Sequence, residues 1–295
     1  MIQHDLIARV RDMCRADERL GAALMYGSFA AGEGDAHSDV EFWLFFDPER
    51  RAEVEPEQWC REIAPANLVL LNEFGSHVVL FPGPVRGEFH FATTDDIPTV
   101  ATWPARGAAV ERMVVVDREG LLTPVLEAVP EHPVLPAAPD EIADLCGRFA
   151  NWLVLALHVT ARGEHLRARD ALWHAARHVL WMARLAEDST AHWLTPSRAA
   201  EAELPARTIA AVAEANPVSL WHEGRDRWLT LLPRTGRPAP TALFAELDRL
   251  TAETAQPAGT AQPAGTAQPA ETTQPAGTAE AAATEPPAGT AAPTS

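Results

Sequence analysis

The sequence predicts a protein of the α/β (α+β) class, with a small mixed sheet followed by a C-terminal helical bundle. Three observations predict this organisation. In residues 1–135, short apolar runs typical of strands alternate with amphipathic helical segments. In residues 136–254, apolar residues instead recur at helical spacing. From 255 to 295 the chain repeats AQPAGT, a composition that buries too little apolar surface to fold, and we predict a disordered tail.

The first 135 residues contain the elements of one mixed sheet. The predicted helices lie at about 4–18, 56–63 and 119–128, with a shorter helix in the loop after the first strand. The predicted strands lie at 21–26, at 39–46 and in the apolar runs NLVLLNEF, HVVLFP and VRGEFHFA, with a further apolar run in ERMVVVD. This order of elements predicts a sheet with helices between its strands.

Two long helices dominate the second part of the chain. EIADLCGRFANWLVLALHVTARG and EHLRARDALWHAARHVLWMARLAED each place apolar residues on one face. These faces comprise Leu145, Phe149, Trp152, Ala156 and Val159 in the first helix, and Leu172, Ala176, Val179 and Ala183 in the second. Shorter helical stretches follow, ending with ALFAELDRL, so the pattern predicts a bundle.

Composition excludes several classes of partner. The formal net charge of -17 repels a polyphosphate backbone, so we expect no nucleic acid partner. The sequence has no run of about 18 apolar residues, and no membrane partner is expected. Its first residues lack the apolar centre of a signal peptide, which predicts a cytoplasmic protein. The chain contains no lysine, so any side chain that neutralises phosphate must be an arginine.

The stretch MYGSFAAGEGDAHSDVEFWLFF joins two predicted strands and carries the first candidate site. Asp39 and Glu41 project to the same side of the second strand, about 7 Å apart at Cα. Two such carboxylates repel, and Mg²⁺ would compensate their charge because it binds oxygen ligands together with phosphates. Gly27 lets the backbone approach a phosphate, Ser28 adds donors, and a following helix would add its positive end. The stretch therefore predicts a triphosphate cradle beside a metal site.

A third carboxylate is expected from the run VRGEFHFA. On this strand Arg86, Glu88 and His90 share one face, while the neighbouring phenylalanines face the other. A strand from the same sheet could bring Glu88 beside the Asp39/Glu41 pair. There its carboxylate could accept the proton of an attacking hydroxyl.

These residues resemble the nucleotidyltransferase superfamily, in which a Gly-Ser turn is followed by Asp-x-Asp or Asp-x-Glu. MYGSFAAGEGDAHSDVEF together with RGEFHF is similar to the two-domain lincosamide nucleotidyltransferases, as are TARGEHLRARDAL and RLAEDSTAHWL in the helical part. The resemblance covers roughly residues 5–250. It implies transfer of AMP from ATP to a hydroxyl of a lincosamide antibiotic, in a homodimer whose subunits share the site.

The resemblance also assigns roles residue by residue. It implies that Asp39 and Glu41 hold Mg²⁺, that Glu88 is the general base, and that Gly27 and Ser28 hold the β- and γ-phosphates. Glu41 stands where many superfamily members have aspartate. Without lysine, Arg86 is the nearest candidate by sequence for the cation that holds the triphosphate. His90 is either a substrate contact or a structural histidine beside the site.

Two other functions are compatible with the same residues. One keeps the reaction and changes the acceptor to another hydroxylated small molecule, such as an aminoglycoside. The other is a non-catalytic nucleotide-binding or toxin–antitoxin-type protein, although retention of all three carboxylates favours an enzyme.

Overall fold

The computed structural model describes residues 1–255, which divide into two compact units, Met1–Val134 and a second unit that begins at Leu135. The fold class predicted from the sequence, a mixed sheet followed by helices, is confirmed. The tail predicted to be disordered over 255–295 lies, beyond Ala255, outside the described residues.

A six-stranded mixed sheet forms the centre of the first unit. Its strands are β1 (Leu20–Met25), β2 (Val40–Phe46), β3 (Leu68–Leu71), β4 (His77–Phe81), β5 (Val85–Thr93) and β6 (Val114–Asp117). They lie in the order β3-β4-β5-β2-β1-β6. The helices of this unit are α1 (Ile2–Ala16), α2 (Gly27–Ala31), α3 (Pro56–Ile63), α4 (Val110–Met113) and α5 (Leu122–Ala128).

The pairing of β2 in the middle of the sheet decides where the candidate site lies. β2 runs antiparallel to β1 and parallel to β5, with Glu41 of β2 directly beside Glu88 of β5. One residue further along, Phe42 and Phe89 are buried on the opposite face, with stacked rings 6.1 Å apart. Because strand residues alternate between faces, burying these phenylalanines fixes both carboxylates on the other side.

Two segments of the first unit differ from the sequence-based expectation in detail. Within ERMVVVD, the first three residues end the short helix α4, and the edge strand begins at Val114. A 3₁₀ segment, Thr94–Thr102, follows β5 and begins with a capping box in which the Asp96 carboxylate accepts from the Thr93 amide at 2.8 Å. The segment begins with Thr94, Asp95 and Asp96, which are all polar. Without a repeating spacing of apolar residues there, the sequence did not predict a helix.

The second unit contains helices only in the part that the structure describes. They are α6 (Pro139–Ala161), α7 (His165–Ala186), α8 (Ala200–Glu203), α9 (Ala206–Glu214), α10 (Pro217–Thr235) and α11 (Thr241–Ala255). Phe149 of α6 stacks on Trp221 of α10, at 6.3 Å between ring centroids. Gly224 lies against the same ring, where a Cβ atom would meet Phe149 at 2.1 Å. Leu145 of α6 and Leu172 and Val179 of α7, which the sequence placed on the apolar faces, lie in the same hydrophobic core.

The helix α6 is long and apolar enough, by length and composition, to cross a membrane, and it is the one described helix of which this is true. Half of its apolar window is buried within the protein. A core helix in a bundle has the same composition, so this is weak evidence for a membrane span.

Candidate active site

The turn after β1 requires glycine at position 27. Gly27 has a φ of 71°, in the left-handed region, and a Cβ atom there would lie 1.6 Å from Oε2 of Glu41. The Glu41 carboxylate therefore packs directly against the turn that the sequence predicted as a phosphate cradle. Helix α2, which starts at Gly27, has five residues, so its dipole adds little to this site.

Replacing Gly27 by alanine is expected to lower stability and to displace Glu41. The left-handed backbone alone would cost about 1–2 kcal/mol, and the contact with the carboxylate adds to it. Gly83→Ala is the matched control, because Gly83 has a φ of 83° and nothing lies within 4 Å of the position that a Cβ atom would take there. In chemical denaturation, Gly27→Ala should be destabilised more than Gly83→Ala, and equal losses would contradict the close contact.

The two predicted metal-binding carboxylates lie at the start of β2. Asp39 immediately precedes the strand and its side chain is about one-third exposed. Glu41 is 6% exposed, and its backbone carbonyl accepts a hydrogen bond from the Tyr26 amide at 3.2 Å. Burial raises the pKa of the Tyr26 hydroxyl well above its usual value, and the charges of Glu41, Glu88 and Asp39 act in the same direction while Arg86 opposes them. The register of β2 and β5 thus places Glu41 beside Glu88, and Arg86 links Asp39 to Glu88.

Arg86 supplies the positive charge among these carboxylates. Its guanidinium donates to Asp39 Oδ2 at 2.5 Å and to Glu88 Oε2 at 2.6 Å. Burial opposes the charge of Arg86, but the hydrogen bonds to Asp39 and Glu88 outweigh it and raise the Arg86 pKa. The arginine that was selected as the nearest cation by sequence therefore lies within the predicted site.

Glu88 has partners on both carboxylate oxygens. Oε1 accepts a hydrogen bond from the Ser76 hydroxyl at 2.7 Å and lies 3.6 Å from Nε2 of His90, while Oε2 is bound by Arg86. The His90 ring, the Ser76 hydroxyl and Arg86 together lower the Glu88 pKa from 4.5 to about 2, although partial burial acts in the opposite direction. Glu88 is therefore a carboxylate that is ionised throughout the neutral range.

This lowered pKa predicts a measurable dependence of stability on pH. A carboxylate whose folded pKa is below its unfolded value stabilises the fold fully above the unfolded pKa, near 4.5, and less as pH falls toward about 2. Between pH 5 and about pH 2, the free energy of unfolding should therefore fall more steeply in the wild type than in Glu88→Gln. Urea denaturation at several pH values measures both slopes, and parallel curves would contradict the lowered pKa.

Three residues of the site were missed from the sequence. Tyr26, the only tyrosine in the chain, is 5% exposed, and its hydroxyl lies 3.2 Å from Nε2 of His90. Trp43 stacks on the His90 ring, with 4.2 Å between centroids. Ser76 precedes β4 and reaches Glu88 because Val78 is paired with Glu88 in the sheet. The position of Tyr26 directly before Gly27 was the signal that could have revealed it.

The donor set is compatible with Mg²⁺ that is bound together with a nucleotide. Within residues 1–255, no three His, Cys, Asp or Glu side chains are grouped as a complete metal site. Two carboxylates suit Mg²⁺, which takes one or two from the protein and completes its shell with water and substrate phosphates. Asp39 and Glu41 would hold the ion. Asp39 would first have to release Arg86, with which it forms an ion pair in the structure.

A comparison with known protein families bears on the helical part of the chain. Residues 138–221 match the family model "Lincosamide nucleotidyltransferase-like, C-terminal domain". Over these residues, the resemblance to the lincosamide nucleotidyltransferases is confirmed.

Two further comparisons concern whole proteins. The chain is similar to the crystal structure of an aminoglycoside 6-adenyltransferase from Bacillus subtilis, with 11% identity over 86% of this chain and 98% of that one. The TM-score of this comparison is 0.37. No curated protein sequence matches the chain.

Proposed function

We propose that the protein is a magnesium-dependent nucleotidyltransferase that transfers AMP from ATP to a hydroxyl of a small-molecule antibiotic. The observation that carries this proposal is the pairing of β2 with β5. It sets Glu88 directly beside Glu41, next to the Gly27 turn. A metal-binding pair, a base and a phosphate-binding turn are the components that such a transfer needs.

Asp39 and Glu41 are proposed to bind the metal, and Gly27 and Ser28 to contact the β- and γ-phosphates. Bound Mg²⁺ would neutralise the phosphate oxygens and so favour attack at the α-phosphorus. Arg86 would release the two carboxylates and turn its guanidinium toward the triphosphate, for which its planar pair of donors is suited. Mg²⁺ would then take the place of Arg86 as the positive charge beside Asp39.

Glu88 is proposed as the general base. The acceptor hydroxyl loses its proton to the Glu88 carboxylate, its oxygen forms a bond to the α-phosphorus, and the bond from that phosphorus to the bridging oxygen breaks. Pyrophosphate leaves with the electron pair of the broken bond. Glu88 is ionised in the free protein, so it can accept this proton without first losing one.

A lincosamide is proposed as the acceptor, because the family match in residues 138–221 is to a lincosamide-type C-terminal domain. The resemblance from which the roles were assigned also implies a homodimer, and we keep this as part of the proposal, together with a cytoplasmic location.

Mass spectrometry of an acceptor panel tests the proposed reaction. Lincomycin, clindamycin and kanamycin are incubated separately with the protein, ATP and Mg²⁺, and with EDTA in place of Mg²⁺ as the control. A mass gain of one adenylyl group on lincomycin, abolished by EDTA, is the expected result. Modification of kanamycin alone would support the aminoglycoside alternative. No modification of any acceptor would contradict antibiotic transfer.

A further inference from the structure

The side chain of His90 lies between Tyr26 and Glu88, and this inference rests on the proposed role of Glu88 as base. Nε2 of His90 is 3.2 Å from the Tyr26 hydroxyl and 3.6 Å from Oε1 of Glu88. An ionised carboxylate accepts hydrogen bonds and donates none. With its proton on Nε2, His90 would donate to the Tyr26 oxygen and present that N–H toward the carboxylate, which at 3.6 Å is an electrostatic contact and not a hydrogen bond.

The surroundings of His90 make it unsuited to contact an acceptor. Its side chain is 13% exposed, and one face of the ring is covered by Trp43, at an interplanar angle of 10°. Trp103 packs against both Trp43 and Tyr26, with centroid distances of 5.9 and 6.2 Å. These aromatic contacts fix the plane of the imidazole, so the hydrogen bond to Tyr26 decides where Nε2 points.

The two oxygens of Glu88 have different kinds of partner. Oε1 accepts from Ser76, which is fully buried, and faces His90, whose ring is 13% exposed and stacked on Trp43. Oε2 faces Arg86, which is about one-third exposed and which the proposed function removes when nucleotide binds. One oxygen is thus anchored and the other has an exchangeable partner.

We propose that Tyr26 and His90 are positioning residues that, with Ser76, anchor Oε1 of Glu88 and leave Oε2 to receive the acceptor's proton. The hydroxyl proton passes to Oε2 as the acceptor oxygen bonds to the α-phosphorus and pyrophosphate departs. His90 exchanges no proton in this step. Its effect, and that of Tyr26, passes through the orientation of Glu88.

Single-turnover rates in a double-mutant cycle test this assignment. His90→Phe keeps an aromatic ring on Trp43 and removes both nitrogen contacts, and we expect a loss of about ten-fold in rate, a fraction of what a positioned base supplies. Tyr26→Phe should lose less, in the same direction. In a Glu88→Gln background neither change should lower the rate further, because the carboxylate on which they act is gone. The affinity for Mg-ATP, measured by calorimetry, should stay within about two-fold of the wild type in both variants.

Thr123→Val is the matched control for loss of a hydroxyl beside a carboxylate, since the Thr123 hydroxyl donates at 2.6 Å to Asp117, the last residue of the edge strand β6. It should leave the rate unchanged. Wild-type rates in His90→Phe and Tyr26→Phe, or equal losses with and without Glu88, would overturn the assignment. The acceptor in these assays is lincomycin, or kanamycin if the panel shows that only kanamycin is modified.

The proposed function and this inference fail in distinguishable ways. Wild-type turnover in Glu88→Gln removes the base from the proposed function, whatever His90 does. If no acceptor is modified, ¹⁵N NMR of the His90 ring still decides the inference. Its Nε2 should carry a proton in the substrate-free protein and should shift in both Tyr26→Phe and Glu88→Gln. An unchanged signal in either variant would overturn the chain of contacts.

Discussion

Replacing Asp39 by asparagine is expected to abolish nearly all turnover while leaving the protein folded. The amide keeps the size of the side chain but removes one of the two charges proposed to hold Mg²⁺. Asp39 is partly exposed and lies just before β2, and Arg86 would keep its bond to Glu88, so the sheet has no reason to unfold. Steady-state rates at saturating Mg²⁺ should fall to less than about a tenth of wild type, a cost above about 1.4 kcal/mol.

Asp35→Asn is the control for this change, because Asp35 lies in the same loop and its carboxylate bonds locally, to the His37 amide and the Ser38 hydroxyl. It should keep wild-type turnover and melting temperature. Calorimetry should also show weaker binding of Mg-ATP by Asp39→Asn but not by Asp35→Asn. An Asp39→Asn protein that retains more than about a tenth of wild-type turnover would contradict the metal assignment.

The main elements could be predicted because their sequence periods were simple. β2 was predicted at 39–46 and is Val40–Phe46, since its buried phenylalanines and leucine follow a polar start. The arrangement of Arg86, Glu88 and His90 on one face followed from alternation along a strand, and the contacts of Glu88 with both neighbours agree with it. The local sequence pattern was sufficient for features that depend on a single strand, such as its bounds and the face on which a side chain lies.

Features that depend on pairing between strands could not be predicted from local pattern. That Glu41 lies directly beside Glu88 depends on the parallel register of β2 and β5, which about 40 intervening residues leave open. Ser76 reaches Glu88 only through the β4–β5 pairing, and nothing in its own neighbourhood indicates a role. The contact between Gly27 and Glu41 is of the same kind, because it joins two separate elements.

The two hydrogen bonds of Arg86, to Asp39 and to Glu88, could not be predicted by counting charges in the sequence. Sequence indicated the need for an arginine, since the chain has no lysine. It could not show that Arg86 neutralises Asp39 and Glu88 together. In the proposed function, nucleotide binding would compete with an ion pair already present within the site.

Replacing Glu88 by glutamine is expected to remove most of kcat while Mg-ATP and acceptor bind within a few-fold of wild type. Glutamine keeps the size of the side chain and loses the basicity, and a positioned base commonly contributes about 10²–10⁴ in rate. Its side-chain oxygen could still accept from Ser76, so the local geometry should survive. Single-turnover rates and calorimetry for Mg-ATP, measured on the same preparation, separate the two effects.

The control for Glu88→Gln must also lose an arginine–carboxylate pair. Glu131→Gln does so in the same unit, where Glu131 bonds Arg106 at 2.9 Å, and it should leave kcat unchanged. If Glu88 were chiefly a metal ligand, Glu88→Gln would weaken Mg-ATP binding and alter the Mg²⁺ dependence along with turnover. If its rate equalled the wild-type rate, Glu88 would have no part in the reaction. Loss of rate with binding retained is the result that a general base requires, because its interaction with the hydroxyl proton strengthens in the transition state.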